Sequence, residues 1–238
     1  MTGEASTADP VPPAQLAAEV AGLFATLAAG GVGIVPLDVA YAIVAARESG
    51  IRRIFAAKQR SYDKPSGLFG NWALSRDLHV MEPEKHAMVR AVVEEENLPF
   101  SVVAPFRADH PLLRDVDPFV LQHSSKAGTI DILLNAGRFH NAVAAESVAR
   151  GLPVFGSSAN LSLTGSKYRY RDIDPTVQAA ADVHFDHGVS KFANAEGRSS
   201  TIIDFRTFRV VRVGVCFDRL CDVFARRFGV TLDAGEAG

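Results

Sequence analysis

Apolar residues recur at helical spacing through Leu16, Val20, Leu23, Phe24 and Leu27, which predicts an amphipathic helix over Ala14 to Ala29. Gly30 and Gly31 stop it, and the short β-branched run Val32 to Pro36 predicts a buried strand. Ser49 is placed to cap a second helix carrying Ile51, Ile54 and Phe55, which would deliver Lys58 and Arg60 at or just beyond its end. A third helix is predicted over Glu82 to Asn97, with Glu94, Glu95 and Glu96 forming a solvated face. Phe100 to Ala104 and Thr129 to Leu134 read as strands, Phe139 to Arg150 as a helix, Pro153 to Phe155 as a short strand and Pro175 to Ala181 as a short helix. Val183 to Phe185, Thr201 to Asp204 and Val210 to Val213 read as further strands. Phe217 to Phe228 closes the chain as a helix with Leu220, Val223, Phe224 and Phe228 on its apolar side.

Strands and helices alternate without a strict βαβ rhythm, which predicts an α/β domain on a mixed sheet. Met1 to Pro13 are small, polar and proline-rich and should be a loose arm. One domain is expected over 14–230, with a short tail over 231–238. Composition fits this picture: 238 residues, 47% hydrophobic and 22% charged, suffice for a sizeable core. Lys and Arg number 25 against 27 Asp and Glu, so bulk charge argues against a protein that coats nucleic acid and leaves only a local basic patch. The uncharged run of 18 residues from Val20 to Leu37 is broken by Gly30, Gly31, Gly33 and Pro36, so no membrane span is expected. With no basic segment leading into an apolar run at the N-terminus, and two cysteines that cannot make a disulfide framework, a reducing, cytoplasmic setting is expected. Cys216 and Cys221 read as buried structural thiols.

Several motifs fail on inspection. The glycines at 30, 31 and 33 follow a helix, whereas a dinucleotide fingerprint needs a strand before them. Eight residues separate Gly156 from Gly165, where a phosphate loop allows four. Asn160-Leu161-Ser162 is a glycosylation sequon without meaning inside a cell. Asp182, His184 and Asp186 would share one side of a strand next to His187, but no second cluster completes a metal site. Two segments carry a sharper signal. Lys58-Gln59-Arg60 with Lys64-Pro65 sets three cations on a stiff turn, which suits a polyphosphate. Gly156-Ser157-Ser158-Ala159-Asn160, after a short apolar strand, can turn backbone N–H groups and side-chain donors toward an anion.

In this order the segments resemble the YrdC-like family of threonylcarbamoyl-adenylate synthases, from about Leu16 to Phe228. Val35 to Tyr41 resembles the family's P-T-D-T-x-Y turn, Lys58 to Pro65 its K-x-R-x-x-x-K-P element, and Ser157 to Ser162 its S/T-S-A-N stretch. Ser199 to Asp204 is similar to its S-T-V-V-D strand and Arg212-Val213-Gly214 to its R-x-G. The resemblance implies a twisted mixed sheet flanked by helices around a basic concave cavity. It also implies an enzyme that converts ATP, bicarbonate and L-threonine into threonylcarbamoyl-AMP and pyrophosphate for a tRNA modification, with Mg2+ bridging phosphate oxygens. By resemblance Lys58 and Arg60 are the catalytic cations, Lys64, Ser158, Asn160, Ser200 and Arg212 hold the nucleotide and its phosphates, and Asp38 and Tyr41 meet the substrate.

The departures lie on one side. Leu37 and Val39 stand where the family has threonines, and Leu133-Leu134-Asn135 replaces its R-x-P, with Arg138 and Lys126 as substitute cations elsewhere in the chain. The family's W-P-G-P-x-T segment is not visible between Phe106 and Thr129. The phosphate side is thus kept and the amino-acid side rewritten, so the expected substrate is a small amino acid, threonine or a relative. The alternative is a non-catalytic nucleotide- or RNA-binding module, supported by Lys167, Arg169 and Arg171 interleaved with Tyr168 and Tyr170.

Overall fold

In the computed structural model, which describes residues 11–59 and 61–235, α1 (Pro13–Ala28) buries Val20, Leu23, Phe24 and Leu27. Proline at its first position needs no N–H there, and Gly30 at φ +83° lets the chain leave the helix. It leads into β1 (Val32–Val35), which pairs antiparallel with β2 (Ala42–Ala45). The next helix, α2 (Glu48–Ala57), buries Ile51, Ile54 and Phe55 as its spacing requires. Ser49 does not cap it. Arg47 is the capping residue, and the Ser49 hydroxyl donates to the Gly30 carbonyl at 2.9 Å, tying α2 to the turn after α1.

The chain continues through β3 (Gly67–Phe69), α3 (Trp72–Leu78), α4 (Pro83–Arg90) with one π-helical turn over Ala91–Glu95, and β4 (Phe100–Pro105). Asn71 caps α3 by accepting from the Leu74 N–H at 2.9 Å. Then follow α5 (Pro118–Gln122), β5 (Ser125–Lys126), β6 (Thr129–Leu134), α6 (Arg138–Arg150) and β7 (Phe155–Ser158). The chain ends with α7 (Pro175–Gln178), β8 (Val183–His184), β9 (Ile202–Asp204), β10 (Arg209–Arg212) and α8 (Phe217–Phe228). The strands form one ten-stranded mixed sheet in the order β10-β9-β4-β6-β3-β7-β2-β1-β8, with β5 on β6.

Strand alternation divides the core between the two faces of this sheet. Ile34, Ile43 and Ala45 face one layer with Ile51, Ile54, Leu220 and Phe224, while Val35, Ala42 and Val44 face the other with Leu23, Phe24, Phe139 and Val143. The expected α/β architecture on a mixed sheet, flanked by helices, is therefore present. Four details differ from the sequence reading. The strand expected at Pro153–Phe155 is instead Phe155–Ser158, so Ser157 and Ser158 are part of the ladder, not of a turn after it. Cys216 and Cys221 are half-buried free thiols rather than buried ones. Glu95 and Glu96 pair with Arg227 of α8, exposed contacts worth at most about 1 kcal/mol each. At the C-terminal end Leu232 is buried and the Val210 N–H donates to the Asp233 carbonyl at 2.6 Å, so part of the expected tail closes on β10. The first ten residues of the expected arm lie outside the described residues.

Candidate functional site

Ser158 lies opposite Ala42 in the β7–β2 ladder, and the Ala159 N–H donates to the Tyr41 carbonyl at 2.8 Å. The two segments flanking this pair therefore meet at one end of the sheet. A cleft of about 110 Å³ opens beside them, lined by Leu37, Val39 and Tyr41, by Ser157 and Ser158, by Ser101, Asp131 and Leu133, and by Ser200 and Arg212. The tertiary fold thus gathers Tyr41, Ser158, Ser200 and Arg212, which the sequence reading placed at one site.

Arg212, at the end of β10 opposite Ile202, is held by Ser200, two residues before that ladder partner. Its Nε and Nη2 donate to the Ser200 carbonyl at 3.1 and 2.8 Å, and Nη2 also donates to the Ser200 hydroxyl at 3.0 Å. The close approach depends on Gly214, where a Cβ would stand 2.2 Å from the Ser199 carbonyl oxygen. Lys58 is the C-cap of α2. Its side chain is 1% exposed and its ammonium donates to the carbonyls of Ser158 and Asn160, the latter at 2.7 Å. The Ser162 N–H and hydroxyl bond back to the Lys58 carbonyl at 3.1 and 3.0 Å. Through these carbonyl oxygens the buried ammonium holds the 158–162 segment in place. Asn160 is buried with it, and its Oδ1 has no hydrogen-bond partner among the described residues.

Lys64 is exposed, and it is the adjoining Pro65 that reaches the cleft wall. Arg60 lies outside the described residues. Asp38 lines a neighbouring cavity of about 190 Å³ together with Arg138, Ser190 and Lys191, and Tyr41 borders both spaces. Burial raises the Asp38 carboxyl above its ordinary range, and Lys191 opposes that shift. The Tyr41 hydroxyl donates to Asp186 at 2.6 Å and accepts from the His187 N–H at 3.2 Å, and burial with the Asp186 contact raises its pKa further. Neither substitute cation reaches the place that Leu133 leaves. Lys126 is exposed and donates to the Asp63 carbonyl, and Arg138 starts α6 beside the neighbouring cavity.

One cleft residue escaped the sequence reading. Asp131 shares a face of β6 with Leu133, and burial pushes its carboxyl up to about 6 against the pull of Arg212 and the Ser101 hydroxyl. The available signal was a lone carboxylate within the apolar strand Thr129 to Leu134. Elsewhere, Asp182 accepts from the Val32 N–H and from Arg53, and His187 pairs with Glu19 at 2.7 Å. The rings of the basic loop are engaged within the fold: Tyr170 stacks on His184 with centroids 4.2 Å apart, and the Tyr168 hydroxyl donates to the Arg198 carbonyl at 2.7 Å.

Comparison with known proteins bears on the family and the fold. A family model for Sua5, YciO and YrdC, described as "Telomere recombination", matches residues 25–214. Among solved structures, a hypothetical protein from Streptococcus mutans superposes with a TM-score of 0.73 at 19% identity over 87% of this chain and 91% of that one. YciO of E. coli gives 0.63 at 19% identity over 87% and 93%. P. abyssi Sua5 complexed with L-threonine gives 0.66 at 18% identity, with 87% of this chain matched to 56% of that one. At these identities the structures speak for the fold. No curated protein matches the chain.

Proposed function

The chain belongs to the Sua5/YciO/YrdC family, and from that premise we propose that it is an ATP-dependent synthase of a carbamoyl-adenylate. Its substrates are ATP, entering with Mg2+ on its phosphates, bicarbonate, and a small amino acid, threonine or a relative. The amine and bicarbonate give a carbamate with loss of water, and the carbamate carboxylate attacks the α-phosphorus, forming the mixed anhydride with AMP and expelling pyrophosphate. Such a reaction asks the protein for alignment and for positive charge against crowded oxygens rather than for an acid or base.

The observation that carries the reading is the convergence of the 158–160 segment, held by Lys58, with Ser200 and Arg212 on one cleft. In this reading Ser158, Asn160, Ser200 and Arg212 hold the nucleotide, Arg60 and Lys64 meet the phosphates from the turn after α2, and Tyr41 borders the amino acid. An L-threonine complex of P. abyssi Sua5 supports an amino acid as the second substrate.

The test is pyrophosphate release from ATP, bicarbonate and magnesium across a panel of amino acids, with products identified by mass. Amino-acid-dependent release with a carbamoyl-adenylate product is expected, and Arg212→Ala should lower it by about 10²-fold or more. ATP binding without release for any amino acid overturns the synthase and leaves a nucleotide- or RNA-binding module.

A further inference from the structure

We propose that Asp131 selects the amino acid: its carboxylate receives the substrate ammonium, while Leu37, Val39 and Leu133 form a wall for a small apolar side chain. The inference rests on the amino-acid reading of the cleft given above and names the class of amino acid it takes.

Three observations lead to it. First, the placement is specific. Asp131 pairs with Val103 of β4 and its side chain crosses β3 at Gly67, where an added Cβ would lie 3.2 Å from Oδ2. The absence of a side chain on β3 is what gives the carboxylate its position on the cleft.

Second, the carboxylate has an unmet requirement. Its Oδ1 is buried without a hydrogen-bond partner. No Lys, Arg or His nitrogen among the described residues makes an ion pair with it: the cation across the cleft, Arg212, commits Nε and Nη2 to Ser200. A buried carboxylate oxygen in this condition is satisfied by a ligand that brings N–H donors, best of all a charged one. Burial raises the Asp131 carboxyl toward neutral pH even against the pull of Arg212 and the Ser101 hydroxyl, so a further donor on the carboxylate would be stabilising.

Third, three side chains on the wall beside Asp131, Leu37, Val39 and Leu133, are apolar and offer a hydroxyl no partner of their own. Leu37 and Val39 are 5% and 1% exposed, and Leu133 follows Asp131 on the same face of β6. A hydroxyl placed against them would lose its water partners without replacement, whereas a methyl would gain burial.

The test is calorimetric titration of the full chain, with and without ATP, using L-valine, L-threonine and the deaminated acid isovalerate. Valine and threonine differ by a methyl for a hydroxyl, so they isolate the wall, and isovalerate isolates the ammonium. Valine is expected to bind about 10-fold or more tightly than threonine, the order that an apolar pocket achieves against an added hydroxyl. Asp131→Asn should weaken valine by about 10-fold or more, as loss of a charged partner does, while leaving isovalerate as tight or tighter. Leu133→Arg, which places a cation beside Asp131, should weaken valine in the same way, a second route if the first variant fails to fold. Threonine binding as tightly as valine, Asp131→Asn holding valine within twofold of the parent, or no binding of either amino acid overturns the proposal. The pyrophosphate assay separates it from the synthase reading. Asp131-dependent valine binding without pyrophosphate release keeps this subsite and removes the synthase. Threonine-dependent release indifferent to Asp131 does the reverse.

Discussion

The Lys58 ammonium donates to the Asn160 carbonyl at 2.7 Å, joining the end of one helix to a segment 102 residues away. With the second bond to the Ser158 carbonyl it closes the floor behind the cleft. Lys58→Met keeps the length of the chain and removes the ammonium, leaving the Ser158 carbonyl with the Asn160 N–H and taking the ammonium from the Asn160 carbonyl. A loss of about 2–4 kcal/mol is expected, or roughly 5–15 °C in the thermal midpoint. Thermal unfolding followed by circular dichroism checks it, and an unchanged midpoint would remove the structural role given to Lys58.

Tyr41 closes the opposite side. Its hydroxyl joins the loop after β1 to the turn at Asp186, His187 and Gly188. Tyr41→Phe preserves the ring, takes one donor from the Asp186 carboxylate, which keeps the Gly188 N–H, and removes the acceptor of the His187 N–H. Urea unfolding should show a loss of about 1–3 kcal/mol with an unchanged slope.

Two glycines should respond in opposite directions. At Gly214 an added methyl would meet the backbone at Ser199, Ser200 and Thr201 within 2.2–2.4 Å, so the strand carrying Arg212 would have to move away from Ser200. Gly214→Ala is expected to cost more than about 3 kcal/mol and to weaken ATP binding. Gly22 lies on the exposed side of α1 with open space around it, and Gly22→Ala should gain about 0.5–1 kcal/mol. Denaturation midpoints of the two variants against the parent decide both.

Acid should destabilise the fold through its buried imidazoles. Burial lowers His79 to about 3 and His140 to about 4, so the folded protein keeps both neutral while the unfolded chain takes up protons near pH 6.5. The unfolded state then binds more protons, and stability falls as pH drops from about 6.5 toward 4, at up to about 1.4 kcal/mol per pH unit for each group. Asp131 acts in the other direction. Raised to about 6, it binds a proton in the fold before the unfolded chain does, which adds stability as pH falls from about 6 toward 4. Two losses against one gain give a net acid loss from these three groups. Asp131→Asn should steepen the decline between pH 7 and 5, and His140→Gln should flatten it, read as urea midpoints at the two pH values.

Where local pattern carried the information, the sequence was sufficient. Phe217 to Phe228 and Thr129 to Leu134 have the expected limits because each shows one face at its own period, between clear stops. The stretches at Lys58 and Ser158 stood out as short runs of unusual residue types, whereas Tyr41, Ser200 and Arg212 were marked only by their resemblance to the YrdC-like family. β2 was not legible: Ala42 to Ala45 is buried on both faces and has no alternation to read. β3, with three residues, is too short for any period. The direction of Lys58 was also hidden, since nothing near it in the chain shows that its ammonium will be buried under carbonyls a hundred residues away. Asp131 was hidden because its standing depends on a glycine across the sheet at 67 and on an arginine fixed to Ser200. Periodicity tells which face of an element is buried. Which group a polar side chain meets there depends on distant segments, and only the packed sheet brings those together.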